Sequence, residues 1–252
     1  MSETSKGKKN IKIGIIGFGR FGKLTARYLS EDMDVFVHTR SNKTSEIREI
    51  GAYPASLEEA CNQDIVIPTV PISTLEDILK KIAPLLKKDA LVIDVCSVKE
   101  YPIKWMKELL PETVSILATH PMFGPDSAAD SLKERKIVLC KVRIEEKFYN
   151  KIKSSLSSKG LTVIETTPED HDRQIAVSLS LTHFIGRTLS EYGASELLID
   201  TEGYKRLLHI LGVVEHDTWQ LFADMNRYNC YAEPERTAFM AAMKIVNERL
   251  KE

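Results

Sequence analysis

The stretch Lys12-Ile-Gly-Ile-Ile-Gly17-Phe18-Gly19-Arg20-Phe21-Gly22-Lys23 decides the fold of this chain. Ile11 to Ile16 is a short apolar run of the kind buried in a sheet, and Lys23 to Ser30 continues as a helix. Between them, Gly17-x-Gly19-x-x-Gly22 has the spacing of a dinucleotide-binding turn. The first glycine makes the tight turn and the second lets a pyrophosphate approach the backbone. The third lets helix and strand pack closely, with the helix N-terminus facing the phosphates. Gly17, Phe18, Gly19, Arg20, Phe21 and Gly22 are therefore the candidate cofactor loop.

Strands and helices alternate outward from this turn. Val35–His38, Asp64–Ile67, Leu91–Val95 and Ser115–Ala118 read as strands. So do Lys136–Val142 and Leu161–Glu165, with a helix between them. Ser73–Leu86 is amphipathic and helical, and Ser56 with Glu59 forms a capping-box pattern ahead of Cys61. This alternation predicts a parallel, doubly wound α/β sheet of the Rossmann type. At Thr167-Pro168-Glu169-Asp170 the pattern changes. Thr167 is an N-cap candidate, Pro168 suits the first helical position, and Asp170 complements the helix dipole.

Beyond that point no strand signal remains. His171–Tyr192 and Gly203–Tyr228 read as long helices, the second with Leu207, Leu211, Val214, Thr218, Leu221 and Met225 on one stripe. Phe239, Met243, Val246 and Leu250 repeat the stripe in a last helix. Such stripes fit a helical core, a subunit interface, or both. The expected organisation is a polar, disordered tail over 1–10 and a dinucleotide-binding domain over 11–167. An all-helical substrate and dimerisation domain follows over 168–252.

The 252 residues carry 35 Lys plus Arg against 36 Asp plus Glu, a net charge of −1, which gives no footprint for nucleic acid or a membrane surface. An apolar content of 43% is enough for a packed core, and no window reaches membrane-span length. Cys61, Cys96, Cys140 and Cys230 have neither C-x-x-C nor metal-ligand spacing, so reduced thiols in a cytoplasmic protein and no metal are expected. The Lys-rich start, without an apolar core, reads as a tail rather than a signal peptide.

Cofactor choice turns on the end of the second strand. An NAD binder carries Asp or Glu there for the ribose 2′-hydroxyl. This chain has His38-Thr39-Arg40-Ser41-Asn42. Thr39, Arg40 and Ser41 suit a 2′-phosphate, which makes charge-assisted bonds to Arg, so NADP is expected over NAD. The alternative is a solvated Arg40 in an enzyme that takes both. Val70, just past the Asp64–Ile67 strand, completes the candidate cofactor set.

Two residues at strand ends border the crevice in such a sheet. Ser97 follows Leu91–Val95, where it is either a turn residue or a group facing nicotinamide or substrate. His120 follows Ser115–Ala118 in the Gly/Pro-rich loop His120-Pro-Met-Phe-Gly-Pro125. A neutral imidazole accepts a proton near neutral pH, so a general base that works as a hydride leaves is expected there. In the long helix, Thr182-His183-Phe-Ile-Gly186-Arg187 places Arg187 one turn from His183, and Gly186 costs helix stability unless something approaches closely. His183 by itself reads more readily as a core histidine than as a substrate group.

Taken in order, the glycine loop, Asp94-x-x-Ser97-Val-Lys99, His120-Pro-Met-Phe-Gly-Pro125, Glu169-Asp-His-Asp-Arg173 and Thr182-His183-x-Ile-Gly-Arg-Thr-Leu189 resemble the arogenate/prephenate dehydrogenases. Asp200-Thr-Glu-Gly-Tyr204 makes the resemblance greatest to the plant-type arogenate branch. The resemblance spans nearly the whole chain after the tail. It implies oxidative decarboxylation of a cyclohexadienyl acid in tyrosine biosynthesis, in a homodimer formed through the helical domain. It implies that His120 takes the proton of the ring hydroxyl and that Ser97 orients His120, the hydroxyl or the nicotinamide. His183 and Thr182 then position the substrate, and Ser127 touches its side chain. Asp217 falls where arogenate enzymes of that branch keep an acid, which would pair with the substrate ammonium; its other reading is a solvated helix acid. The Arg with which many bacterial relatives hold the ring carboxylate aligns with His209, with Arg206 one turn earlier, and either cation fits that role. The rivals are a prephenate or dual-substrate enzyme, a hydroxyacid or imine reductase, and a non-catalytic NADP sensor.

Overall fold

The computed structural model describes residues 11–251. The tail expected over 1–10 lies outside them. The described chain runs β1 (Lys12–Ile16), α1 (Arg20–Ser30), β2 (Asp34–His38), α2 (Thr44–Glu49), β3 (Tyr53–Pro54), α3 (Leu57–Cys61), β4 (Ile65–Pro68), α4 (Ile72–Ile82), β5 (Leu91–Asp94), α5 (Glu100–Leu109) and β6 (Ser115–Pro121). It continues with β7 (Lys136–Arg143), α6 (Glu146–Ser158), β8 (Thr162–Glu165), α7 (Pro168–Ile175), α8 (Thr182–Tyr192), α9 (Glu202–Glu215), α10 (Trp219–Arg227) and α11 (Ala232–Arg249).

All eight strands form one sheet in the order β3-β2-β1-β4-β5-β6-β7-β8. Strand order reverses between β1 and β4, the switch point at which a doubly wound sheet opens a ligand crevice beyond its strand ends. Pairing is parallel except between β6 and β7. The all-parallel expectation fails there. Residues 122–135 between β6 and β7 return the chain as a loop, without the crossover helix a parallel neighbour requires. The antiparallel partner also lengthens β6. His120 pairs with Val138 and Pro121 with Ile137, so His120 stands on the strand and not in the loop after it. Pro121 is tolerated because it ends the ladder.

A core cluster of this sheet unit is built on β1, β2, β4 and β5. Ile13, Ile15, Val35, Val37, Ile65, Ile67 and Leu91 cluster with Leu117 and Leu139. Burying one Ile or Val this way contributes roughly 1.5–3 kcal/mol before entropy. The Ser56 capping box forms on both sides, with Ser56 Oγ accepting from Glu59 N at 3.1 Å and Glu59 Oε2 from Ser56 N at 2.8 Å. Helices α2 and α5 and the short β3 were not expected. In α5, Pro102 breaks the periodic signal yet sits in the first turn, where no backbone donor is needed.

Compactness divides the chain in two. The sheet unit holds the residues to Val70, Thr74–Cys96 and Pro102–Glu165. The helical unit holds Pro71–Ser73, Ser97–Tyr101 and everything from Thr166. The sequence reading gave 71–73 and 97–101 to the dinucleotide-binding domain. They belong with the helices because buried carboxylates there hydrogen-bond to their backbone.

In the helical unit Thr167 caps α7, its hydroxyl accepting from Asp170 N at 3.1 Å, with Pro168 next. A six-residue π-helical stretch, Ala176–Leu181, joins α7 to α8 and interrupts the single helix expected over 171–192. The helix expected over 203–228 is two helices. Thr218, read as part of the apolar stripe, is the N-cap of α10 and accepts from Leu221 N at 3.2 Å. Of that stripe Val214 and Met225 are buried, while Leu207 and Leu221 are exposed. On α11 and just past it, Met240, Met243, Ile245, Val246 and Leu250 all face outward, so this stripe is not a core within one chain.

Candidate active site

The glycine loop is closed by a residue the sequence reading passed over. Thr69, just after β4, donates its hydroxyl to Gly17 O at 2.9 Å and its amide to Ile16 O at 2.8 Å. Gly17 takes φ +113°, which only glycine adopts readily, and a Cβ there would lie 2.6 Å from Thr69 O. A Cβ on Gly22 would lie 2.6 Å from Gly17 O and 2.7 Å from Thr69 Oγ1. Above Gly19, by contrast, nothing lies within 4 Å. Gly19 is the N-cap of α1 and offers no side chain to the first-turn amides, and no acid occupies that turn. This uncapped helix start beneath an open face fits a dinucleotide pyrophosphate. Phe18 packs into the core cluster and Gly22 is buried, so they shape the loop. Arg20 is exposed and pairs with Asp126 at 2.6 Å. Phe21 and Val70 are half-buried.

At the end of β2 no carboxylate is present. Thr39 Oγ1 and Ser41 Oγ lie 3.5 Å apart, and Arg40 is exposed beside them. His38 Nδ1 lies 3.4 Å from Ala55 O, which ties the strand end inward. Thr39 is half-buried, and Ser41, like Arg40, is exposed.

His120 is buried next to Thr119, whose hydroxyl donates to Asp94 O at 2.7 Å. The segment after it is pinned to α1. Arg20 pairs with Asp126, Tyr28 donates to Ala128 O at 2.9 Å, and Arg27 donates to Ala129 O. Ser127 Oγ accepts from Gly124 N at 3.0 Å and closes its own turn. Its hydroxyl thus serves the loop.

The helical unit holds the other candidates. Ser97 Oγ, Ser180 Oγ, His183 Nδ1 and Arg187 Nε are all buried without a hydrogen-bond partner among the described residues. Buried orphans of this kind are costly and mark places where a ligand or water belongs. Burial pushes the His183 imidazole below the ordinary histidine range; Asp217 opposes the shift and Arg187 adds to it. Asp217 Oδ2 stands 3.9 Å from His183 Nε2, beyond hydrogen-bond reach, and Arg187 donates to the Asp217 backbone oxygen. Asp217 lies in the break between α9 and α10, not on a helix, with its side chain 28% exposed. The Thr218 N-cap could have signalled that break. Thr182 donates its hydroxyl back to Ser178 O at 3.1 Å. A Cβ on Gly186 would lie 2.8 Å from Val214 Cγ2 and 3.0 Å from Ile210 O, so α8 and α9 touch there. Arg206 and His209 are both exposed on α9.

Among the described residues no cluster of His, Cys, Asp or Glu is placed to hold a metal ion, and no helix is long and apolar enough to cross a membrane. The family model for the prephenate dehydrogenase nucleotide-binding domain matches residues 35–165. This chain belongs to the prephenate dehydrogenase family. A second model, the TYRAAT1-like C-terminal domain, matches residues 188–252. Chloroplastic arogenate dehydrogenase 2 of Arabidopsis thaliana is 32% identical over 95% of this family member and 70% of its own length. A probable arogenate/prephenate dehydrogenase of Methanocaldococcus jannaschii is 32% identical over 96% of the chain, which spans 57% of that relative. Among solved structures, prephenate dehydrogenase of A. aeolicus in complex with hydroxyphenyl propionate and NAD+ superposes with a TM-score of 0.77 at 20% identity. That match covers 97% of this chain and 92% of the other. The fold expected for the family is the fold found.

Proposed function

We propose that this protein is an NADP-dependent arogenate dehydrogenase, which oxidatively decarboxylates arogenate to tyrosine. The observation that carries the reading is the pairing of the open, uncapped phosphate loop at Gly19 with a buried His120 on β6 in a member of this family. Gly17, Gly19, Gly22 and the start of α1 hold the pyrophosphate, with Thr39, Arg40 and Ser41 on the 2′-phosphate. A bound nicotinamide would supply the hydride acceptor for the ring carbinol carbon of the substrate. His120 takes the proton of that carbon's hydroxyl. The ring carboxylate leaves as carbon dioxide, its bonding pair flows through the ring to the oxygen, which takes the proton back from His120, and aromaticity is gained. Ser97 takes the role of orienting the imidazole, the hydroxyl or the nicotinamide. His183, kept neutral by burial, donates or accepts a hydrogen bond without adding charge. Thr182 fixes the turn that carries it, and Ser127 shapes the loop after His120.

Arogenate is favoured over prephenate because Asp217 offers a part-exposed carboxylate that no hydrogen bond engages among the described residues. A carboxylate there pairs with an ammonium and repels a substrate that carries only acids and a ketone. Prephenate as the preferred substrate is the second reading, and Asp217 is the observation against it. The outward apolar face of α11 supports a homodimer, which a monomeric mass in solution would contradict. The reading is tested by following NADPH formation with arogenate and NADP, with tyrosine and carbon dioxide quantified together. Equimolar products are expected. Tight NADP binding with no turnover of either cyclohexadienyl acid would replace the enzyme with a sensor.

A further inference from the structure

Within the helical unit, two buried carboxylates each grip a short piece of chain drawn from the middle of the sequence. Asp172 on α7 is fully buried. Its Oδ1 accepts from Lys99 N at 2.8 Å and its Oδ2 from Glu100 N at 3.0 Å. The same Oδ1 lies 2.7 Å from His171 Nδ1, which donates to it, and Asn229 Nδ2 holds the Asp172 carbonyl at 2.8 Å. Asp224 on α10 is likewise buried and accepts from Ser73 N at 3.0 Å and Ser73 Oγ at 2.8 Å. Gln220 donates to the same Ser73 hydroxyl at 2.9 Å.

Each carboxylate takes up donors at a helix start, Asp172 two amides and Asp224 one amide and a hydroxyl, where amides lack partners inside the helix and negative charge is favoured. The two differ in what lies beside the gripped backbone. Beside Ser73 stand Ile72 and Thr74, neither of them a candidate for the reaction. Two residues before Lys99 stands Ser97, with its buried, unpartnered hydroxyl. Two charge-assisted bonds to consecutive amides leave the 97–100 backbone little freedom. His171 and Asn229 in turn fix Asp172.

We infer that Asp172 is a positioning residue for the reaction: by holding the Lys99 and Glu100 amides it sets the aim of the Ser97 hydroxyl. Asp224 does the same mechanical work without a reacting side chain beside it. The inference rests on the reading of Ser97 above, and a displacement of about 1 Å at a reacting group is enough to cost a hundredfold in rate.

The test uses the full chain with NADP and arogenate, comparing Asp172→Asn, Asp224→Asn, Ser97→Ala and the Ser97→Ala/Asp172→Asn double variant. Tm, Kd for NADP, kcat and KM are read for each. Asp172→Asn and Asp224→Asn are expected to lower Tm by similar amounts. Only Asp172→Asn lowers kcat, by about tenfold or more, with Kd for NADP unchanged. In the double variant kcat matches that of Ser97→Ala, because the aim of an absent hydroxyl no longer matters. Should Asp172→Asn not fold, Asp172→Glu keeps the charge, shifts the grip by one methylene, and is expected to lower kcat in the same way. An unchanged kcat, a loss equal to that of Asp224→Asn, or losses that multiply in the double variant would overturn the inference. Full activity of Ser97→Ala would instead remove the role of Ser97 and the inference with it. A wild type that turns over no cyclohexadienyl acid would remove the functional reading itself.

Discussion

Around Gly17–Gly22 the polar groups that await a ligand belong to the backbone; in the helical unit they belong to side chains. The glycine loop is built by exclusion. A Cβ at Gly17 or Gly22 meets Thr69 or Gly17 itself, and only the space over Gly19 is left open. The helical unit is built by attachment. Asp172 and Asp224 hold backbone amides, Arg187 holds the Asp217 carbonyl, and the orphaned atoms of Ser97, Ser180, His183 and Arg187 Nε are what remains. The first kind of site tolerates no added atom. The second kind tolerates no lost partner.

The largest effect expected is in the sheet unit. His120→Ala should lower kcat by roughly a hundredfold or more, the usual contribution of a positioned general base, while NADP still binds. Loss of NADP binding in that variant would give His120 to the cofactor instead. The glycine comparison is next. Gly22→Ala puts a Cβ against backbone and should cost several degrees in Tm. Gly19→Ala has open space and an ordinary φ of −73°, so it should leave Tm unchanged yet weaken NADP binding. Equal Tm losses in the two would erase the distinction between a glycine for packing and a glycine for the ligand.

In the helical unit Gly186→Ala should destabilise by about 1–3 kcal/mol through overpacking. Val214→Ala in the same chain should recover part of this, since the closest atom is a side-chain methyl, but not all, because Ile210 O is also near. A smaller effect comes from protons. Burial lowers the His183 pKa below its ordinary value of 6.5, so the unfolded chain binds that proton more readily. The contribution of His183 to stability is present above about pH 6.5 and is lost as pH falls toward its folded pKa. His183→Gln should flatten that acid limb in pH-dependent denaturation. An unchanged limb would assign it to other groups.

The difference between the two regions also explains what the sequence made legible. The glycine spacing, the strand alternation, the Ser56 and Thr167 caps and the close approach at Gly186 are local signals, and each was readable before any coordinates. What escaped is set by distant partners. The antiparallel β7 turned His120 from a loop residue into a strand residue. Thr69 closes a loop that lies 47 or more residues earlier in the chain. Asp172 stands inside the Glu169–Arg173 motif, but its grip on Lys99 and Glu100 crosses more than 70 residues. The apolar period carried the 203–228 helix straight through Thr218, although a threonine three residues before Leu221 is a usable stop signal.

The central claim is best tested by the ratio of kcat/KM for arogenate to that for prephenate, measured with NADP in the wild type and in Asp217→Asn. The account predicts a wild-type ratio well above one that falls by about tenfold or more once the carboxylate is gone, the size of one lost charge-assisted bond. A ratio near or below one in the wild type, or one that Asp217→Asn leaves unmoved, would contradict it.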